Sequence, residues 1–281
     1  MTKRVFCLLA VLISLPAFAD DLADAVSKDY DEHLAGLFDY FHRNPELSTI
    51  EHETARRMAM ELSLAGFDVT EGVGGTGVVA MLENGDGPLV MMRADMDGLP
   101  VEEKSGLENA SRAKQIDPIT GNEVFVMHAC GHDVHITSLV GTARHMAAHK
   151  DEWTGTLMLV VQPAEERVIG ARARREDKIW ERFGTPDYAL AFHVSAGDPA
   201  GKITVEEGDA YAGADTVDII VHGVGAHGAS PHAGKDPVLI GSQIVVALQT
   251  LVSRELPPRA PGVVTVGSFH SGTKHNIISD R

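Results

Sequence analysis

The stretch TLMLVVQPAEE, Thr156 to Glu166, joins a short apolar run to a proline and a pair of carboxylates. An uncharged run of that length, closed by turn chemistry, suits a strand buried on both faces, as in a mostly parallel sheet sandwiched between helices. Three other runs share the build: GVVAML (Gly77 to Leu82), PLVMMRA (Pro88 to Ala94) and YALAFHV (Tyr188 to Val194). Helical spacing fills the intervals. Leu34, Leu37, Phe38 and Phe41 mark residues 27 to 42, and Met58 and Leu62 mark 51 to 65, with Gly66 as a stop. The stretches His132 to His149 and Ile169 to Phe183 are helical in pattern too. The outline is an α/β fold.

After His193 the texture changes. GKITVEEG and DTVDIIVHG alternate, a helical stretch runs from Pro237 to Arg254, and GVVTVGSFH reads as a further strand. A β, β, α, β run after a completed α/β unit implies a smaller α+β domain over residues 206–281, following a main domain over 20–205. Residues 1–19 have the build of a secretory signal: basic MTKR, apolar VFCLLAVLISL, then PAFA. The expected mature start is Asp20 and the expected destination is periplasmic or extracellular. No later stretch is expected to reach the roughly 20 apolar residues of a membrane span. A formal charge of -16 argues against nucleic acid and anionic membranes as partners. Cys7 leaves with the leader, so Cys130 is a lone thiol and a disulfide-stapled fold is excluded.

Three strands end in polar clusters: RADMD (Arg93 to Asp97), QPAEE, and His193 in AFHV. Ligands of open α/β sheets bind outside the carboxyl ends of strands. The stretch VFVMHACGHDVHITSL, Val124 to Leu139, opens a helix at the same edge. Thiolate and imidazole suit a borderline cation, with carboxylates to bridge and orient. Adjacent carboxylates in a strand-end loop point different ways, so one of Glu165 and Glu166 can bind metal while its neighbour serves as base, and the implied reaction is hydrolysis. Blander readings stand beside these. Cys130 alone is a small buried hydrophobe, His193 a core histidine, and His227 part of a polar turn. His128 and His135 read as neighbours of the site, and His145 and His149 as helix-end contacts. GVGGTG, Gly72 to Gly77, reads as a hairpin turn rather than a phosphate loop, and ARARRED as an exposed helix face.

Taken in order, FHRNPELS, RADMDGLP, MHACGHDVH, QPAEE, GAHGASPH and HNIISD resemble the amidohydrolase branch of the M20 metallopeptidase family, with its aminoacylase-like, hippurate-hydrolase-like and auxin-conjugate-hydrolase-like enzymes. The resemblance implies two divalent metal ions held by Cys130, His132, Glu166 and His193, with Glu165 as general base. Zinc suits the donor set, and manganese, cobalt or nickel are tolerated in the family. Asp95 and Asp97 would hold the ligands in orientation. His227, in a lid domain that also forms the homodimer, would reach the scissile carbonyl of a neighbouring subunit's substrate, and Asn276 would lie near the substrate's carboxylate side. The implied substrates are N-acyl amino acids or small peptides.

Two departures matter. Family members read Asn-Val-Ile-Pro where this chain has Asn276, Ile277, Ile278 and Ser279. They also continue past the position of Arg281 to a last histidine ligand, so the expectation is a C-terminally incomplete chain lacking one ligand and full activity. Two other classes stay open: a thiol hydrolase with Cys130 as nucleophile, and a non-catalytic, metal-binding or dimerising relic.

Overall fold

The computed structural model describes residues 18–205, 207, 208 and 213–281. The expected leader lies outside the described residues except for its last two positions, which open helix α1 (Phe18–Asp29). The chain forms two compact units, one ending at Pro199 and one spanning Ala200–Arg281.

In the first unit, α1 runs through a wide turn at Tyr30–Leu34 into α2 (Ala35–Arg43), and α3 (His52–Leu64) follows. Strands β1 (Asp68–Glu71), β2 (Val78–Asn84) and β3 (Leu89–Asp95) come next, then a small ribbon of β4 (Lys114–Ile116) and β5 (Glu123–Phe125). Helix α4 (His132–Ala148), strand β6 (Gly155–Gln162), helices α5 (Gly170–Glu176) and α6 (Ile179–Phe183), and strand β7 (Tyr188–Ala191) complete it.

The main sheet has the order β1-β2-β6-β3-β7. It is mixed: β6, β3 and β7 run parallel, while β1 and β2 are antiparallel to their neighbours. The cause lies in the connections. A two-stranded hairpin turns back at once, and Gly72, Gly74 and Gly75, all at positive φ, let it do so between β1 and β2. Parallel neighbours need a crossover, and α4 and α5–α6 supply it.

Strand β6 shows why both faces had to be apolar. Leu157, Leu159 and Val161 pack with Phe41, Met58, Leu62 and Leu139 beneath α2, α3 and α4. Met158 and Val160 face the other way, against Val73, Val79 and Ile179. The alternation is the period-two geometry of a strand, with a hydrophobic layer on each side.

Expectation and structure part in five places. Strand β7, expected to be buried on both faces, lies at the end of the sheet order and has all four residues exposed. The helix expected over Ile169 to Phe183 is two helices, broken where Lys178 takes φ 58°. ARARRED is not simply an exposed face, because Arg174 is buried. In the second unit, the alternating runs around Ile203, Val217 and Val263 form no ladder among the described residues, and these three side chains are exposed. Alternation states which faces a strand wants covered, but a strand also needs a partner for its backbone. That unit instead has a two-residue pairing of β8 (Ala226–His227) with β9 (Ile277–Ile278) beside α7 (Pro237–Thr250), which Asp236 caps through the backbone N–H of Val238. Finally, the helical stretch Pro237–Glu255 has the length and mean hydropathy, 1.3, of a membrane-crossing segment, which the sequence reading had excluded. Length and composition are all that recommend it.

A segment of irregular backbone, Pro45 to Glu51, ties the helices to the strand ends. The Glu46 carboxylate accepts from the N–H groups of Glu53 and Thr54 at the start of α3, and its carbonyl accepts from Gly98 at 2.7 Å. Glu51 is fully buried and accepts from the Thr76 hydroxyl at 2.6 Å and the Ala164 N–H at 2.8 Å. Burial raises the Glu51 pKa, and these hydrogen bonds offset only part of the rise. A carboxyl whose folded pKa lies above its unfolded one weakens the fold as pH climbs above the unfolded value. Glu51→Gln keeps an acceptor for Ala164 and removes that charge. In urea titrations, the variant should therefore gain stability relative to the parent as pH rises from the carboxylate range to neutrality. A difference independent of pH would overturn this account of Glu51.

Candidate metal centre

The parallel strands β3, β6 and β7 deliver their carboxyl ends to one edge of the sheet. From that edge come Asp95 and Asp97, Glu165 and Glu166, and His193. Helix α4 begins beside them, with Gly131 as its cap and His132 as its first residue. Gly131 has φ +79°, and a Cβ there would stand 2.4 Å from Val194 Cγ2. Glycine is thus required twice, for the left-handed turn and for the approach of the His193 loop.

His132 is the centre of the cluster and is fully buried. Its Nδ1 lies 3.3 Å from Asp97 Oδ1, and its Nε2 lies 3.6 Å from Asp95 Oδ1, 3.7 Å from Glu165 Oε2 and 3.8 Å from Glu166 Oε1. None of these contacts is a well-formed hydrogen bond, so both ring nitrogens and Glu166 Oε1 are buried polar atoms without partners. Cys130 Sγ meets His193 Nε2 at 3.2 Å. The donor atoms of Cys130, His132 and His193 lie within 4.8 Å of one another, as do those of His132, Glu165 and Glu166.

The supporting shell is better bonded, although Asp95 Oδ2 and Asp97 Oδ1 also lack a hydrogen-bond partner among the described residues. Asp95 contacts His135 Nδ1 at 2.6 Å and Arg93 Nη1 at 2.7 Å, and His135 Nε2 accepts from the Val194 N–H at 3.0 Å. Asp97 accepts from the Ser48 hydroxyl at 2.6 Å and from the Glu166 N–H at 3.0 Å. Burial works against ionisation of Asp95, yet His135, His132 and Arg93 outweigh it and hold the carboxyl well below its ordinary range. Asp97 is likewise lowered against burial, with His132, Ser48 and the Glu166 N–H favouring the charge. The same carboxylates raise the pKa of His132 despite its burial.

Glu166 and Cys130 show the opposite strain. Burial, Asp97 and Glu165 push Glu166 up against the pull of His132. Burial and the carboxylates of Glu166, Glu165 and Asp95 push the Cys130 thiol up to about 12. A thiol, two imidazoles and two glutamates, crowded together with acceptor atoms unpartnered, form a donor set short of positive charge. Divalent cations fit it in charge and in ligand chemistry.

All seven residues expected at the centre from the first unit are therefore together: Asp95, Asp97, Cys130, His132, Glu165, Glu166 and His193. His227 and Asn276 are neighbours within the second unit, where His227 pairs with Ile277 across β8 and β9 and Asn276 O accepts from the Gly228 N–H at 2.9 Å. Ser48 and Glu51 join the site without a sequence signal, and Arg93, the first residue of the RADMD cluster, joins it through Asp95. His135 sits three residues after His132, one turn along the same helical face, which was a readable signal. His128 is buried, with both ring nitrogens unpartnered, and burial lowers its pKa to about 4.

Residues 91–274 match the model of peptidase family M20/M25/M40. The chain is 38% identical over 257 residues to thermostable carboxypeptidase 2 of Saccharolobus solfataricus, covering 90% of this chain and 62% of that protein. It is 39% identical over 240 residues to hippurate hydrolase of Campylobacter jejuni, covering 85% and 59%. Among solved structures, it is similar to a dinuclear metal-binding peptidase of family M20 from Bacillus subtilis, with TM-score 0.58 and 29% identity over 79% of this chain and 57% of that one. The chain spans about three fifths of the length of these curated relatives.

Gly131→Ala should lower unfolding free energy by more than about 1 kcal/mol, since positive φ and a steric overlap act together. Adding Val194→Ala should return part of that loss. Strict additivity of the two substitutions in a double-mutant cycle would show that the overlap is not what constrains the turn.

Proposed function

Because the chain belongs to peptidase family M20/M25/M40, we propose that it takes part in metal-dependent hydrolysis of the amide bond of N-acyl amino acids or small peptides. The observation that carries this reading is the pair of unpartnered, buried donors His132 Nε2 and Glu166 Oε1, 3.8 Å apart and beside Cys130 and His193. Cys130, His132, Glu166 and His193 would hold two divalent ions, zinc by the softness of the set, with manganese, cobalt or nickel as alternatives. Bound there, the ions supply Lewis acidity, polarising a carbonyl and lowering the pKa of water from about 15.7 towards about 7.

The remaining steps belong to side chains. Glu165 is more open to solvent than Glu166, 37% against 17% of the side chain, which suits it to meet the attacking water while its neighbour binds metal. It takes the proton from that water and returns one to the leaving nitrogen. Asp95 and Asp97 keep His132 oriented, and Ser48 and His135 keep those carboxylates in place. His227 and Asn276 serve the substrate's carbonyl and carboxylate from a lid that dimerises. Exposed Leu239, Val246 and Leu251 along α7 and the turn after it agree with a covered face there. Export through residues 1–19 completes the reading.

The Cys130–His193 contact also favours a second reading, a thiol nucleophile with a histidine base. Burial and the neighbouring carboxylates, which push the thiol pKa up to about 12, count against it, since an activated nucleophile needs the opposite shift.

Elemental analysis separates the two. The chain should carry metal in near-stoichiometric amount and lose most of it in Cys130→Ser. A metal-free parent with a freely alkylated thiol would transfer the case to the thiol hydrolase. In the whole protein, Glu165→Gln should retain metal while turnover of N-acyl amino acids falls by at least about a hundredfold, the scale of a lost general base. Turnover at the parent rate would remove Glu165 from that role.

A further inference from the structure

On the sheet face opposite α4, a cavity of about 360 Å³ opens between β3, β7 and the α5–α6 segment. Its polar end is made by Arg93, Gln162, Arg174 and Arg175, and its apolar walls by Met91, Trp180 and Ala189. The charge there is out of balance. Arg174 is 8% exposed, and its Nη2 donates to Gln162 Oε1 at 2.6 Å, the oxygen that also accepts from Arg93 Nε at 3.0 Å. Arg174 Nε is buried without a partner, and no carboxylate pairs with this guanidinium among the described residues. Burial, and then the neighbouring Arg93, lower the Arg174 pKa to about 10. A buried guanidinium held only by a shared amide oxygen lacks the counter-charge such a group requires.

We propose that this cavity binds a small organic monocarboxylate, its charged end on Arg174 beside the Asp95-paired Arg93 and its apolar body against Met91 and Trp180. A planar guanidinium presents paired donors to a carboxylate, and the apolar surface of Met91 and Trp180 beside it favours an organic anion over a fully hydrated inorganic one. The cavity contains none of the expected metal donors, its link to that centre being the Arg93–Asp95 contact at 2.7 Å, and the proposal does not depend on the hydrolytic reading.

Cyclohexanecarboxylate, titrated calorimetrically into the chain at fixed ionic strength, should bind saturably at one site. Cyclohexylmethanol, which has the same body without the charge, should not. Arg174→Met should weaken the carboxylate at least about tenfold, the loss expected for a charged hydrogen-bond pair. Because this change also removes an uncompensated buried charge, the variant should be no less heat-stable than the parent without ligand, so lost binding cannot be ascribed to unfolding. Saturating carboxylate should raise the melting temperature of the parent alone. Absence of binding, undiminished binding by Arg174→Met, equal binding of the alcohol, or tighter binding of inorganic phosphate would each overturn the proposal.

Discussion

Two buried carboxylates at the end of β3 govern the architecture around them. Asp95 and Asp97 are almost wholly withdrawn from water, and an ionised carboxylate in that position is tolerable only if its lone pairs are met. Four neighbours contact them, Arg93 on the same strand, His135 on α4, Ser48 before α3 and the Glu166 backbone after β6, and the His132 ring stands close by at 3.3 Å. Each of those partners is thereby fixed relative to the others. The burial of two charges is what aligns a helix start, two strand-end loops and an irregular segment on one point.

The irregular segment from Pro45 to Glu51 is the less visible half of that arrangement. Glu46, Ser48 and Glu51 each reach a different element, respectively α3, the loop after β3, and the loop after β6. Ala164, which receives the Glu51 contact, has φ 46°, an unfavourable conformation for a residue with a side chain. A strong, buried acceptor is the kind of contact that can hold such a conformation, and the two residues after it are Glu165 and Glu166.

Much of this was legible beforehand, and the reasons are specific. Strands buried on both faces announce themselves as apolar runs, so β2, β3 and β6 were readable, as was the glycine-rich hairpin before β2. Residues at the ends of parallel strands share an edge by topology alone, which placed Asp95, Glu165 and His193 together. Ser48 and Glu51 were not legible as contributors, because hydrogen bonds across dozens of residues leave no periodic trace. Arg174 was misread for a related reason: a basic tripeptide pattern says nothing about which of its members faces a sheet. In the second unit, alternation around Val217 and Val263 indicated strand character without naming a partner strand, and pairing does not follow from propensity alone.

The strand order carries a consequence for how the chain assembles in time. Leu89 pairs with Thr156 and Val90 with Tyr188, both across long stretches of intervening chain. Closing such loops loses entropy before any contact returns it, so parallel pairings of this kind form slowly. Cys130 and His132 become neighbours as soon as α4 nucleates, whereas Glu166 and His193 arrive only with the β6 and β7 pairings. A nascent chain therefore passes through a period in which it displays half of the candidate donor cluster on a bare helix start, with the Cys130 thiol open to whatever oxidant or stray ion the surroundings hold.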